Sequence, residues 1–152
     1  MKRIIYIPFD HLNQKYGALK IANPKEDLIV FVESARMTTG RDWHKERLFF
    51  LIASARHFAK SLEDAGFTVE YVKAETTIDG LKTIQAKHKI TEVICAEPSS
   101  HRQFAALKEF RATFIANDFF LTPRPLFEDW AGSQKSFLME NFYRLQRSRL
   151  NI

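Results

Sequence analysis

Leu28-Ile-Val-Phe-Val-Glu33 is an almost unbroken apolar run closed by a carboxylate. A half-buried strand alternates apolar and polar residues because successive side chains point to opposite faces. A run without that alternation is the pattern of a strand covered on both faces in a parallel sheet. Upstream, residues 2–8 are rich in Ile and end at Pro8, and a proline is tolerated at a strand end but not in its interior. Residues 9–27 read as a long connection broken by Asn13, Gly17, Asn23 and Pro24.

Downstream, strands alternate with helices. After Thr38-Thr-Gly-Arg41 the spacing predicts the longest helix, over residues 43–65, with Leu48, Phe49, Ile52, Ala53, Arg56 and Ala59 in register and Gly66 as its stop. Residues 68–73 form a third strand, 78–88 a helix and 92–96 a fourth strand. Glu97-Pro98-Ser-Ser100 makes the next turn, and Ser100 with Gln103 fits a capping box. The helix it opens carries Phe104, Leu107 and Phe110 on one face, and residues 113–117 supply a fifth strand. A short helix near residues 126–131 ends at Gly132. Strands joined through helices imply right-handed crossovers and a Rossmann-like, doubly wound α/β fold: a five-stranded parallel sheet flanked by helices, with an extra C-terminal helix.

That last helix is read from Ser136-Phe-Leu-Met-Glu-Asn-Phe-Tyr-Arg-Leu-Gln-Arg-Ser-Arg149. Leu138, Phe142 and Leu145 recur at i, i+4 and i+7, while Arg144, Arg147 and Arg149 charge the flanks and the end. Such an apolar face needs a partner. The expected organisation is an α/β domain over residues 1–132, then residues 133–152 as the opening helix of a following domain or a docking helix. The same face could pair with a second copy of the chain and form a dimer.

With 152 residues and 45% hydrophobic content, the chain can bury one core. Its one cysteine, Cys95, lies in the apolar run Val93-Ile-Cys-Ala96 and reads as a core residue, which suits a reducing cytosol. The apolar stretch behind Met1-Lys-Arg is too short for a signal peptide and contains Pro8, and no run reaches a membrane-spanning length of about 20 residues. A cytoplasmic protein is the expectation. The excess of 23 Lys and Arg over 18 Asp and Glu is a modest basic bias, weak support for a polyanionic partner. Most of the 14 Phe fall at periodic positions expected of a core rather than of base-stacking platforms.

Ligands of doubly wound sheets bind beyond the carboxyl ends of the strands, where the strand order reverses. Asp10, Glu33 and Glu97 stand at such ends. With strand one at the switch, they would rim one crevice and accept hydrogen bonds from a heterocycle or a ribityl chain. Each also has a structural reading: Asp10 caps the turn after Pro8, Glu33 is a solvated strand terminus, and Glu97 is the polar residue a loop favours. His11 follows Asp10 and can donate and accept. The five glycines form neither a GxGxxG turn nor a GxxxxGK loop, the five histidines show no HExxH spacing, and no serine sits in a GxSxG elbow. No nucleophile, base and orienter can be named together, so an enzyme acting alone ranks last.

Several segments now carry a resemblance when taken in order: Asp10-His-Leu12, Leu28 to Glu33, His44-Lys45, Ser54-Ala-Arg-His-Phe-Ala59, Gly66-Phe-Thr-Val-Glu-Tyr71, Glu97-Pro98 and Met139-Glu-Asn-Phe-Tyr-Arg144. The chain resembles, over nearly its whole length, the N-terminal domain of the deoxyribodipyrimidine photolyase-related proteins, the iron-sulfur bacterial branch of the photolyase and cryptochrome family.

The resemblance implies an antenna domain followed, beyond Ile152, by a helical domain with FAD, an iron-sulfur cluster and the DNA lesion site. One cysteine cannot supply the four thiolates of such a cluster. In the family, light-driven electron transfer from reduced flavin repairs a pyrimidine dimer or (6-4) photoproduct, and the N-terminal domain holds a ribityllumazine that passes excitation energy to the flavin. Carried over by position, the implied chromophore contacts are Asp10, His11, Leu12, Glu33, Met37 and Glu97. The chain departs from the family pattern in having Phe9-Asp-His-Leu12 for Gly-Asp-Gln-Leu, Met37 and Gly40 for a second acidic residue and a tyrosine, and Ser99-Ser100 for the Gly-Glu after the Glu-Pro turn. The expectation is a different or weakly bound chromophore, or an empty pocket. A free-standing small-molecule module and an interaction domain that lost its ligand stand as the other readings.

Overall fold

The computed structural model describes residues 1–40 and 42–152; Arg41, in the turn expected ahead of the long helix, lies outside the described residues. Strands β1 (Arg3–Tyr6), β2 (Asp27–Ser34), β3 (Thr68–Ala74), β4 (Val93–Ala96) and β5 (Thr113–Ile115) form one parallel sheet in the order β3-β2-β1-β4-β5. Six α-helices accompany them among the described residues: α1 (Ala35–Thr39), α2 (Lys45–Asp64), α3 (Thr77–His88), α4 (His101–Glu109), α5 (Arg124–Gly132) and α6 (Met139–Leu150), with a 3-10 turn at Gly17–Ile21. The chain builds from β1 outward to β3, then returns to the other side of β1 for β4 and β5. The order therefore reverses at the β1/β4 pair, where Ile4 and Ile5 lie beside Val93 and Ile94.

The unbroken apolar run follows from this arrangement. Leu28, Val30 and Val32 face one core layer, with Ile4, Tyr6, Leu81, Ile84 and Leu107. Ile29 and Phe31 face the other, with Ile5, Ile7, Ala55, Ala59 and Leu62. Both faces of β2 exclude water, so each residue contributes the roughly 1.5–3 kcal/mol of a buried aliphatic or aromatic side chain. Cys95 is fully buried in the first layer, and burial pushes its thiol up to about 12, which leaves it a packing residue.

Three expectations change. In α2 the buried line is Ala55, Ala59 and Leu62, rotated from the expected register, with Phe49 and Arg56 exposed. The alanines let the helix lie close on the sheet where a phenylalanine would hold it off. The Phe residues divide: Phe9 and Phe31 are buried and Phe58, Phe67, Phe110 and Phe114 pack half-buried against the core, whereas Phe49, Phe50, Phe120, Phe127 and Phe137 are exposed. Finally, α1 forms in the stretch after β2 because the Ser34 hydroxyl accepts the Met37 N–H, a cap whose sequence signal is a single serine.

The described chain divides into two compact units, Met1–Asn117 and Asp118–Ile152. Within the second, Phe142 of α6 packs on α5, its ring 5.3 Å from Phe127 and 4.8 Å from Trp130. Arg149 donates to the Leu121 carbonyl at 2.6 Å and Thr122 to Gln146 at 2.9 Å. The apolar face of α6 thus has a partner inside its own unit, while Phe137, Leu138, Met139, Tyr143 and Leu145 are exposed.

Candidate functional site: a cleft at the switch point

Beyond the carboxyl ends of β1, β2 and β4, the first unit opens into a cleft of about 580 Å³. β1 contributes Tyr6, and the turn after it contributes Pro8, Phe9 and Asp10; β2 and the segment after it contribute Val32, Ser34, Arg36, Met37 and Gly40. Thr76, Thr77 and Ile78 enter from the start of α3, and Ser100, Arg102 and Gln103 from the start of α4. Trp43, Arg47 and Leu51 close it from the α2 side. Several polar groups are already held in place. Gln103 donates through Nε2 to the buried Tyr6 hydroxyl at 2.9 Å, so the expected capping box is only half made: Ser100 accepts the Gln103 N–H at 3.4 Å, but the Gln103 side chain reaches to the sheet. Burial raises the Tyr6 phenol above its ordinary range, so it stays protonated. The Trp43 indole donates to the Met37 carbonyl at 2.8 Å, and the Arg47 guanidinium lies 4.8 Å over the Trp43 ring.

The expected site residues separate into two groups. Asp10 and Met37 line the cleft. His11 is buried beneath Asp10, its Nε2 4.0 Å from the carboxylate, and Leu12 packs into the α2-side layer. Glu33 and Glu97 are not on the cleft wall. Glu33 accepts from Tyr71 and Arg56 at 2.7 Å each and lies 3.7 Å from Lys73. Burial pushes its carboxyl up, but the Tyr71 and Arg56 hydrogen bonds and the Arg56 and Lys73 charges outweigh this and hold it below its ordinary value. Glu97 sits in the β4 connection, its backbone N–H bonded to the Ile115 carbonyl and its own carbonyl accepting from Asn117. Phe9 lines the cleft while its ring packs 6.0 Å from Tyr71, and Met37 and Gly40 both border the space.

Tyr6, Ser34, Arg36, Trp43, Thr76 and Gln103 were not legible as site residues. Tyr6 and Trp43 fall inside the stretches read as the first strand and the longest helix, and Gln103 was read as a capping residue. Among the described residues no cluster of His, Cys, Asp and Glu could hold a metal ion, and no helix is long and apolar enough to cross a membrane.

Comparison with known proteins places this architecture. Residues 5–152 match the family model of the deoxyribodipyrimidine photo-lyase-related proteins. The chain belongs to that family. It is also similar to a (6-4) photolyase of Agrobacterium fabrum (strain C58 / ATCC 33970), at 29% identity over 164 residues. The likeness covers all of this chain and 32% of the relative, so the photolyase-related chain spans about a third of that protein's length.

Proposed function

We propose that this photolyase-related chain serves as the antenna or scaffold portion of a longer flavoprotein, and that its cleft holds a heterocyclic chromophore of the ribityllumazine kind. The carrying observation is the cleft at the sheet's switch point, whose wall sets Trp43, Met37 and Phe9 beside a row of hydroxyl and amide groups. Its volume of about 580 Å³ lies within the range of small-molecule sites. Flat apolar side chains suit a ring system, and Ser34, Thr76, Thr77, Ser100 and Gln103 suit a polyol tail. Bound there, the chromophore would absorb near-ultraviolet or blue light and pass the excitation on. The chain's own residues bind it, orient it against Trp43 and exclude water.

In this reading, the FAD, the iron-sulfur cluster and the contacts to damaged DNA belong to a helical portion outside this chain, which acts with it in light-dependent repair or blue-light sensing. The exposed apolar side chains of residues 137–145 suit a docking role toward that portion or toward a second copy. A chromophore-free scaffold or interaction module is the second reading. The engagement of Glu33 by Tyr71, Arg56 and Lys73, away from the cleft, favours it.

Absorption and fluorescence spectra, followed by titration with a ribityllumazine, separate the two. Saturable binding weakened by Asp10→Ala supports the antenna reading. A colourless protein without affinity for the lumazine leaves the scaffold.

A further inference from the structure

We infer that the cleft prefers an anionic ligand, a heterocycle whose polar tail ends in a phosphate or a carboxylate, over a neutral ribityl compound. The inference rests on the reading of the cleft as a chromophore site and narrows its chemistry. Three guanidinium groups line the cleft, Arg36 after β2, Arg47 on α2 and Arg102 in the first turn of α4, against the single carboxylate of Asp10. Outside the cleft three arginines meet carboxylates, Arg3 with Asp27 at 2.8 Å, Arg56 with Glu33 at 2.7 Å and Arg144 with Glu140 at 2.8 Å, while Arg147 and Arg149 donate to the Ile152 and Leu121 carbonyls. Arg36, Arg47 and Arg102 have no such ion pair among the described residues.

Like charges gathered at one concave surface repel, and a low-dielectric wall strengthens the field they share. An anion in the cleft relieves that repulsion and meets planar donor forks suited to phosphate or carboxylate oxygens. Arg47 is held against the cleft wall by its contact with Trp43, the guanidinium carbon 4.8 Å from the ring centroid. Two helices of 12 and 9 residues, α3 and α4, start on the cleft through Thr76, Thr77 and Ser100, so their dipoles add to the positive potential. A neutral polyol would use the hydroxyls and leave the three charges uncompensated.

The experiment compares a ribityllumazine with the same compound phosphorylated at the end of its ribityl chain, titrated by fluorescence at low and high salt. The expected result is binding of the phosphorylated form at least about tenfold tighter, with the advantage shrinking as salt screens the arginines. In the double variant Arg36→Gln, Arg102→Gln, both side chains exposed, the advantage of the phosphorylated compound should disappear. Equal affinity for the two compounds overturns this inference and leaves the chromophore reading standing. Binding of neither overturns both. An advantage that persists in the double variant overturns the role given to these arginines, and circular dichroism of the variant confirms that it is folded.

Discussion

Asp27 is buried at the foot of β2 with both carboxylate oxygens engaged: Arg3 donates to Oδ1 at 2.8 Å and Oδ2 at 2.9 Å, and the Asn23 N–H donates to Oδ2 at 2.7 Å. This fork ties the first two strands and the turn between them into one register. Removing one member of such a pair strands the other, so Asp27→Ala should lower stability by about 3 kcal/mol in denaturant unfolding. Burial pushes the Asp27 carboxyl up, but the Arg3 and Asn23 hydrogen bonds and the Arg3 charge outweigh it, and it titrates below its ordinary value of 3.8. The sign follows: the stabilisation is complete above pH 3.8 and is lost as pH falls through the lower folded value. Acid unfolding of Asp27→Asn should therefore have a shallower slope below about pH 4 than that of the parent chain. A partner 24 positions away cannot be read from local pattern, which is why the sequence shows Arg3 and Asp27 only as charges at strand starts.

Helix α3 approaches β2 through Gly80, where an added Cβ would stand 2.5 Å from Val32 Cγ1 and 3.0 Å from Cγ2. Alanine favours the helix by about 1 kcal/mol over glycine, but overpacking against a buried, branched side chain costs about 1–3 kcal/mol. Gly80→Ala should therefore destabilise, and Val32→Ala in the same chain should recover part of the loss despite its own cavity. A thermal melt of the three variants decides it. The periodicity of α2 shows the limit of pattern reading at this scale. Its length and stop were legible, with Gly66 in the left-handed region at φ +89°, but its apolar residues cover more than one face. Only the position of the sheet selects Ala55, Ala59 and Leu62 as the buried line. In the second unit, Phe142→Ala removes the ring that joins α6 to Phe127 and Trp130, and should cost about 3 kcal/mol at most, since these neighbours are partly exposed. The expected signature is a loss of helical signal with the sheet retained, followed by circular dichroism and Trp130 fluorescence.

Across the whole first unit, the strand order places the ends of β1, β2 and β4 around one cleft and sets Trp43 on its wall. In a Trp130→Phe background, where Trp43 is the remaining tryptophan, a bound heterocycle should quench the emission. Emission unchanged at saturating ligand would place the ligand away from Trp43. The sequence by itself determined the fold class, the order of the five strands and of the helices other than α1, the buried Cys95 and the position of Asp10 beyond the first strand, because each depends on periodicity and turn chemistry within a few residues. The resemblance to the photolyase-related proteins was likewise carried by short ordered motifs. Only the tertiary structure decided that Glu33 turns to Tyr71, Arg56 and Lys73, that Gln103 reaches Tyr6, and that Arg36, Arg47 and Arg102 meet at one cleft. These groups lie far apart in the chain, and an exposed arginine on a helix has the same local pattern whether it faces solvent or a binding site; the crossovers of the sheet bring them together.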